Sequence, residues 1–198
     1  AACCGATMAE RHVLVCGGTR GIGKAIAKAF AREGEKISVT HRWGSVSQEE
    51  LDAEFRADGL APPRVFEADV GEADDTAALV AALDAPVDVL VANVCVAGRG
   101  EPTLKARTLR QTLQRSAWPV KTYFEALAGT GHPPAYTLAM SSDGHQHFYP
   151  GYDYVAAAKA LMEAQGAAQA SQQPQRYIGL RPRQDDTPSY HEMIPAAA

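Results

Sequence analysis

A short apolar run, His12-Val13-Leu14-Val15-Cys16, ends in Gly17-Gly18 and passes directly into a helical pattern, and this alternation then repeats along the chain. A continuous apolar run of that length, closed by glycine, reads as a strand buried on both faces. Residues 21–33 carry Ile22, Ile26, Ala29 and Phe30 at helical spacing on one face, with Gly34 as the stop. Further strands are expected at 36–41, 65–70, 87–94, 136–140 and 176–180, and helices at 48–57, 74–83 and 152–170. A longer helical region covers 104–127 and contains Pro119. Parallel strands need crossover connections, which helices supply. The expected fold is therefore α/β, a doubly wound, Rossmann-like parallel sheet in a single domain.

Composition permits that fold and removes several functions. Of 198 residues, 46% are hydrophobic and 21% charged, the balance of a chain able to bury a core. Nineteen Lys and Arg face 23 Asp and Glu, a net charge of −4 without the clustered positive charge that a nucleic-acid partner requires. No apolar run is long enough for a membrane-spanning helix, so no membrane partner is expected. Cys3 and Cys4 lie in a small-residue tail, Cys16 and Cys95 lie in apolar runs, and no C-x-x-C pair occurs. Such thiols suit a reducing compartment, and a cytoplasmic location is expected. Residues 1–7 lack the basic and apolar segments of a secretory signal. They read as a cloning remnant or a disordered tail before Met8, with 8–198 as the domain.

The glycines after the first strand mark a phosphate site. Gly17-Gly18-Thr19-Arg20-Gly21-Ile22-Gly23 lies between strand and helix, where the backbone can approach a phosphate closely. The helix N-terminus adds free N–H groups and the positive end of a dipole. Counted from Gly17, the spacing is G-x3-G-x-G rather than the common G-x-G-x-x-G.

This spacing closely resembles the short-chain dehydrogenase/reductase superfamily, whose loop usually reads T-G-x-x-x-G-x-G; Cys16 stands where threonine is usual. The resemblance implies a nicotinamide cofactor across the carboxyl ends of the strands, held by Gly17, Thr19, Arg20, Gly21, Ile22 and Gly23. Ala68-Asp69-Val70 is similar to the family's adenine-contacting segment, which implies Asp69 and Val70 as cofactor residues. Residues 88–93 resemble the entry to the family's N-N-A-G motif, here Ala92-Asn93-Val94-Cys95, which implies Asn93. An NAD site would place an acid after the second strand, whereas this chain offers Thr40-His41-Arg42. Arg42 together with Arg20 suits a 2′-phosphate, because guanidinium binds phosphate through paired charged hydrogen bonds. The plainer alternative is that Arg42 caps a strand end in solvent. NADPH (NADP) is expected over NADH.

The superfamily's usual catalytic pair is Tyr-x3-Lys, but four residues before Lys159 stands Val155, which has no acidic proton. Tyr152 stands seven residues before Lys159, and Tyr-x6-Lys looks like the enoyl-acyl-carrier-protein reductases within the superfamily. Ser142 precedes Tyr152 at a similar distance to that branch, and Pro150 and the run 159–164 resemble it too. The resemblance implies Ser142, Tyr152 and Lys159 as catalytic residues, with Lys159 also holding the nicotinamide ribose. Hydride addition to the β-carbon of an enoyl thioester leaves negative charge on the thioester oxygen, which a phenol can stabilise as an oxyanion hole does. A nearby lysine favours ionisation of the tyrosine, whose ordinary pKa is about 10. Seven residues are nearly two helical turns, so Tyr152 and Lys159 share a face if the helix begins by Tyr152.

Neighbouring residues carry weaker readings. Tyr154 is an alternative phenol whose spacing to Lys159 fits neither pattern. His145 and His147, flanked by Asp143 and Asp153, look like half a metal site, but no further ligand joins them and no metal is expected. Phe148 and Tyr149 are candidates for an acyl pocket. Ser116 stands where the family carries a helix asparagine.

The resemblance covers about 11–187. Beyond Leu180-Arg181-Pro182 the family's proline-glycine turn, last helix and last strand do not follow, so C-terminal elements are expected to be missing from this sequence. Three functions stay open. The first is an NADPH-dependent reductase of an enoyl thioester on acyl carrier protein or coenzyme A. The second is a ketoreductase or alcohol dehydrogenase of the same fold, and the third a non-catalytic NADPH-binding protein. The resemblance also implies a homodimer or homotetramer.

Overall fold

The computed structural model describes residues 10–42, 46–96, 105–147, 149, 151–172 and 175–181. The tail at 1–7, Phe148, Pro150 and everything after Arg181 lie outside the described residues. Six strands form one parallel sheet in the order β3-β2-β1-β4-β5-β6. They are β1 (His12–Cys16), β2 (Lys36–His41), β3 (Arg64–Glu67), β4 (Val89–Ala92), β5 (Tyr136–Met140) and β6 (Arg176–Leu180). The crossovers contain α1 (Gly21–Arg32), α2 (Gln48–Ala57), α3 (Ala73–Ala82), α4 (Ala106–Ser116), α5 (Pro119–Ala128) and α6 (Asp153–Gln172). This is the doubly wound, Rossmann-like sheet that the alternation predicts. The strand order reverses between β1 and β4, and in such sheets a ligand crevice opens beyond the carboxyl ends at that point.

The centre of the sheet shows why β1 is buried throughout. Val13 pairs with Ile37 on one side and Val89 on the other, and Cys16 pairs with Thr40 and Ala92. Val13 and Val15 face a cluster with Ala27, Ala31, Leu51 and Phe55 from α1 and α2. Leu14 and Cys16 face the opposite layer, with Leu79 of α3 and Tyr123, Phe124 and Leu127 of α5. Each fully buried aliphatic or aromatic side chain of this kind contributes about 1.5–3 kcal/mol. A third cluster packs Met162 and Ala158 of α6 on Ala139 of β5. Among the described residues, no helix is long and apolar enough to cross a membrane.

Several boundaries differ from expectation for local reasons. The β3 ladder ends at Glu67, so Asp69 and Val70 sit in a turn: Asp69 Oδ1 accepts from Gly71 N at 2.9 Å and the Asp69 carbonyl accepts from Glu72 N at 2.9 Å. β4 covers only Val89–Ala92, and Asn93 turns out of the ladder to the glycine loop. The region 104–127 is two helices, because Pro119 lacks the N–H that would continue the ladder and instead opens α5 at its first position. In α1 the residues pressed on the sheet are Gly23, Ala27 and Ala31, small enough to let the helix close on it. Ile26 and Phe30 flank that stripe, while Ala29 and Ile22, the latter 37% accessible, face solvent. α2 starts in a capping box: Glu50 N donates to Ser47 Oγ and Ser47 N to the Glu50 carboxylate.

Candidate active site

The glycine loop follows β1 at the crevice. Gly17 (φ +74°) and Gly21 (φ +53°) adopt left-handed backbone that side chains disfavour. A Cβ on Gly23 would collide with the Gly17 carbonyl oxygen, and one on Gly18 would lie 2.6 Å from Val39 Cγ1. The loop is tied from both sides. Gly17 N donates to Thr40 Oγ1 at 3.2 Å, Gly18 N to the Thr40 carbonyl at 3.1 Å, and Asn93 Nδ2 to the Gly17 carbonyl at 2.9 Å. Thr19 is buried beneath it, whereas Arg20, Gly21 and Ile22 are exposed. Arg20 caps α1 without a side-chain hydrogen bond, and the first turn holds no acid. A bare helix N-terminus behind closely packed glycines fits the phosphates of a dinucleotide, so the residues present match the expected cofactor.

On the side of β2, Arg42 lies 2.8 Å from Asp69 Oδ2. Arg115 of α4 grips the same carboxylate, Nε to Oδ1 at 3.2 Å and Nη2 to Oδ2 at 3.1 Å. Burial works against charge on Asp69, but hydrogen bonds from Arg115 and Gly71 and the charges of Arg115 and Arg42 hold its carboxyl below the usual range. Val70 turns its side chain into the core beside Leu14 and Leu79.

The third part lies after β5. Tyr152 Oη donates to Ser142 Oγ at 3.1 Å, and Gly144 N donates to the same oxygen at 3.1 Å. Tyr152 immediately precedes α6 and its carbonyl accepts from Ala156 N at 2.8 Å. The helix thus begins one residue later than the shared-face argument requires. Lys159, 4% accessible, donates through Nζ to the Met140 carbonyl at 2.6 Å. The structure brings Ser142 and Tyr152 into contact, and it anchors Lys159 to the end of β5. Tyr154 is not the second phenol of this corner, since its hydroxyl reaches the Lys105 carbonyl at 3.4 Å. His147 is exposed, and among the described residues no three His, Cys, Asp or Glu side chains gather to hold a metal. Ser116 Oγ accepts from Val96 N at 2.8 Å and fastens the segment after β4 to α4.

A family model described as enoyl-(acyl carrier protein) reductase matches residues 17–178. This chain belongs to the short-chain dehydrogenase/reductase superfamily. Among curated proteins, the 3-oxoacyl-[acyl-carrier-protein] reductase MabA of Mycobacterium bovis is 39% identical over 89 residues, 42% of this chain. The 3-dehydrosphinganine reductase TSC10B of Arabidopsis thaliana is 32% identical over 200 aligned positions, 93% of this chain. The matches span 30% of MabA and 58% of TSC10B. An alcohol dehydrogenase from the archaeon Thermococcus sibiricus, solved with 5-hydroxy-NADP, superimposes with a TM-score of 0.79 at 21% identity, covering 96% of this chain and 82% of that one. A metagenomic short-chain oxidoreductase solved with NADP gives 0.74 at 22% identity over 87% of this chain and 81% of its own. Both structural likenesses are likenesses of fold.

Within this superfamily member, several site residues escape sequence reasoning. Gly144 is a floor for the tyrosine, since a Cβ there would run into the Tyr152 ring. Tyr149, which the sequence offers for an acyl pocket, instead stands edge-on to that ring, centroids 6.1 Å apart, and its hydroxyl donates to Asp143 Oδ2 at 2.9 Å. Glu163 accepts from Ser141 Oγ and pairs with Arg181, closing the end of β5 onto β6 and α6. A glycine two residues after the serine is a signal that could have been read. Arg115 and Glu163 give none, because only the folded chain brings them to their partners.

Proposed function

We propose that this chain is an NADPH-dependent oxidoreductase that reduces an enoyl thioester, carried by acyl carrier protein or coenzyme A, at its β-carbon. The observation that carries this reading is the 3.1 Å hydrogen bond from Tyr152 to Ser142, placed after β5, two strands along from the glycine cradle after β1. Gly17, Thr19, Arg20, Gly21, Ile22, Gly23 and Asn93 would hold the dinucleotide, with Arg42 toward the adenosine ribose. When bound, NADPH supplies the hydride. Tyr152 donates a hydrogen bond to the thioester oxygen as that oxygen gathers negative charge, Ser142 gives a second, and the enolate then takes a proton from water at its α-carbon, which completes the reduction. Lys159, buried and bonded to the end of β5 two residues before Ser142, would add positive potential that favours the charged oxygen. The Tyr-x6-Lys spacing and the matching family description support the enoyl substrate.

A ketone substrate is the second reading, favoured by the two curated relatives, a 3-oxoacyl and a 3-dehydrosphinganine reductase. There Tyr152 would donate its proton to the carbonyl oxygen outright. Oxidation of NADPH with crotonyl and acetoacetyl thioesters separates the two. Turnover of crotonyl thioester alone is expected, turnover of acetoacetyl thioester alone supports the second reading, and cofactor binding without either supports a non-catalytic protein.

The same reading includes a cytoplasmic setting and a homodimer or homotetramer. Self-association is supported by an apolar groove of about 870 Å³ between α3, α4, α5 and α6, lined by Ala106, Leu109, Leu113, Trp118 and Leu161. Trp118 is 46% accessible in the isolated chain. Burying such a side chain against a second copy removes an exposed apolar patch.

A further inference from the structure

We infer that Glu163 is a positioning residue for the serine–tyrosine corner: through Ser141 it fixes the backbone that carries Ser142, and it keeps doing so when Tyr152 turns to the substrate. The inference rests on the reading of Ser142 and Tyr152 given above and extends it to a carboxylate on α6.

Three consecutive residues at the end of β5 are each tied to α6 or to the residue that leads into it. The Met140 carbonyl accepts from Lys159 Nζ at 2.6 Å, Ser141 Oγ donates to Glu163 Oε1, and Ser142 Oγ accepts from Tyr152 Oη at 3.1 Å. Lys159 and Glu163 stand one helical turn apart, so they share a face of α6. The carboxylate is itself held in orientation. Arg181, which directly follows β6, donates through Nε to Oε1 at 2.8 Å and through Nη2 to Oε2. Ser141 N donates to the Leu180 carbonyl at 2.7 Å, so Ser141 and Arg181 form the next step of the β5–β6 ladder. Glu163 closes that ladder from α6. Ser141 is 4% accessible and the Glu163 side chain 16%, so water screens this charged hydrogen bond poorly.

The reaction gives this tie its importance. In the free protein, the bond from Tyr152 helps to hold Ser142 in place. To meet the thioester oxygen both hydroxyls must point at it, and their mutual bond is given up. Gly144 N, 3.1 Å from Ser142 Oγ, orients the serine side chain but does not set its Cα. The chain before Ser142 sets it, and there Glu163 grips Ser141. That grip uses no group that meets substrate, so it persists through the reaction. Catalytic groups work within about 0.5 Å of their productive place, and a shift of about 1 Å costs up to about 100-fold in rate.

Turnover of crotonyl and acetoacetyl thioesters, with thermal melting and NADPH titration in parallel, tests this. The variants are Glu163→Met, Glu163→Gln, Ser141→Ala and Ser142→Ala, with Glu163→Met also combined with each serine variant. Glu163→Met keeps the length of the side chain but no acceptor, and is expected to lower kcat about tenfold while KM and NADPH affinity stay near wild type. Glu163→Gln keeps an acceptor for Ser141 and should retain most of the turnover. Ser141→Ala removes the donor and should match Glu163→Met, with the combined variant no slower than either. In the Ser142→Ala background Glu163→Met should cost no further turnover, and a further loss of about tenfold there would overturn the route through Ser142. If Glu163→Met does not fold, Ser141→Ala, which removes only a hydroxyl, measures the same tie. A lower melting temperature with undiminished kcat in Glu163→Met and Ser141→Ala would assign the tie to folding alone and overturn the role of Glu163. Wild type that turns over neither thioester, or full turnover in Ser142→Ala, would overturn the reading of the corner and the role of Glu163 with it.

Discussion

The glycine cradle after β1 and the serine–tyrosine corner after β5 both prepare a ligand surface at the carboxyl ends of strands, by opposite means. The cradle works by leaving side chains out: Gly23 packs on the Gly17 carbonyl, and the N-terminus of α1 carries no side-chain cap. The corner works by adding them, with Ser142, Tyr152, Tyr149 and Asp143 linked in a side-chain network. Backbone surfaces cannot yield to an intruding atom, whereas a side-chain network can shift. One added methyl group should therefore have different consequences in the two places.

Gly23→Ala carries the largest expected effect, because its Cβ meets backbone of the same loop. A loss of about 3 kcal/mol of stability is expected, with cofactor binding abolished, read by thermal melting and NADPH titration. Unchanged binding would break the comparison. Gly144→Ala puts its Cβ against the Tyr152 ring, a side chain with room to move. The fold and NADPH affinity should survive while turnover drops about tenfold, a single displaced catalytic hydrogen bond. If stability fell as far as for Gly23→Ala, the corner would be as rigid as the cradle.

Asn93→Ala removes the 2.9 Å hydrogen bond to the Gly17 carbonyl. About 1 kcal/mol is expected, with weaker NADPH binding and an unaltered KM for the acyl substrate. The smallest effect belongs to the opposite end of the sheet, where Arg11 pairs with Glu35. Burial pushes the Glu35 carboxyl up, but the Arg11 hydrogen bonds and charge outweigh it and hold the carboxyl below its usual range. A depressed carboxylate contributes stability above its unfolded pKa of about 4.3 and loses it as pH falls through the folded value. Glu35→Gln should flatten that acid limb by less than about 1 kcal/mol, since Arg11 is partly solvated, and leave turnover untouched.

The same contrast explains what could be read from the sequence. The cradle is local: Gly17 to Gly23 lie within one strand–loop–helix unit, so spacing alone identifies it. The strand and helix order was legible for a similar reason, since β1 and β2 are buried on both faces of a parallel sheet and each is followed by a helical pattern. Strand ends were less so, because Asp69 and Asn93 leave the ladder and bond to Arg115 and Gly17, groups that the sequence does not mark as neighbours. Of the corner, Ser142 and Tyr152 were readable through the family spacing. The anchoring of Lys159 on Met140 was not, nor was Arg115 on Asp69, 46 residues away. Such contacts depend on how α4 and α6 settle on the sheet, and each is set by packing at a distance.

The central claim is that Tyr152 meets the charge developing on the substrate. Turnover of crotonyl and acetoacetyl thioesters by wild type and Tyr152→Phe, with NADPH affinity measured in parallel, tests it most directly. The account predicts at least a roughly 100-fold loss of turnover in the phenylalanine variant with NADPH affinity unchanged. A phenylalanine variant that reduces either substrate at the wild-type rate would contradict it.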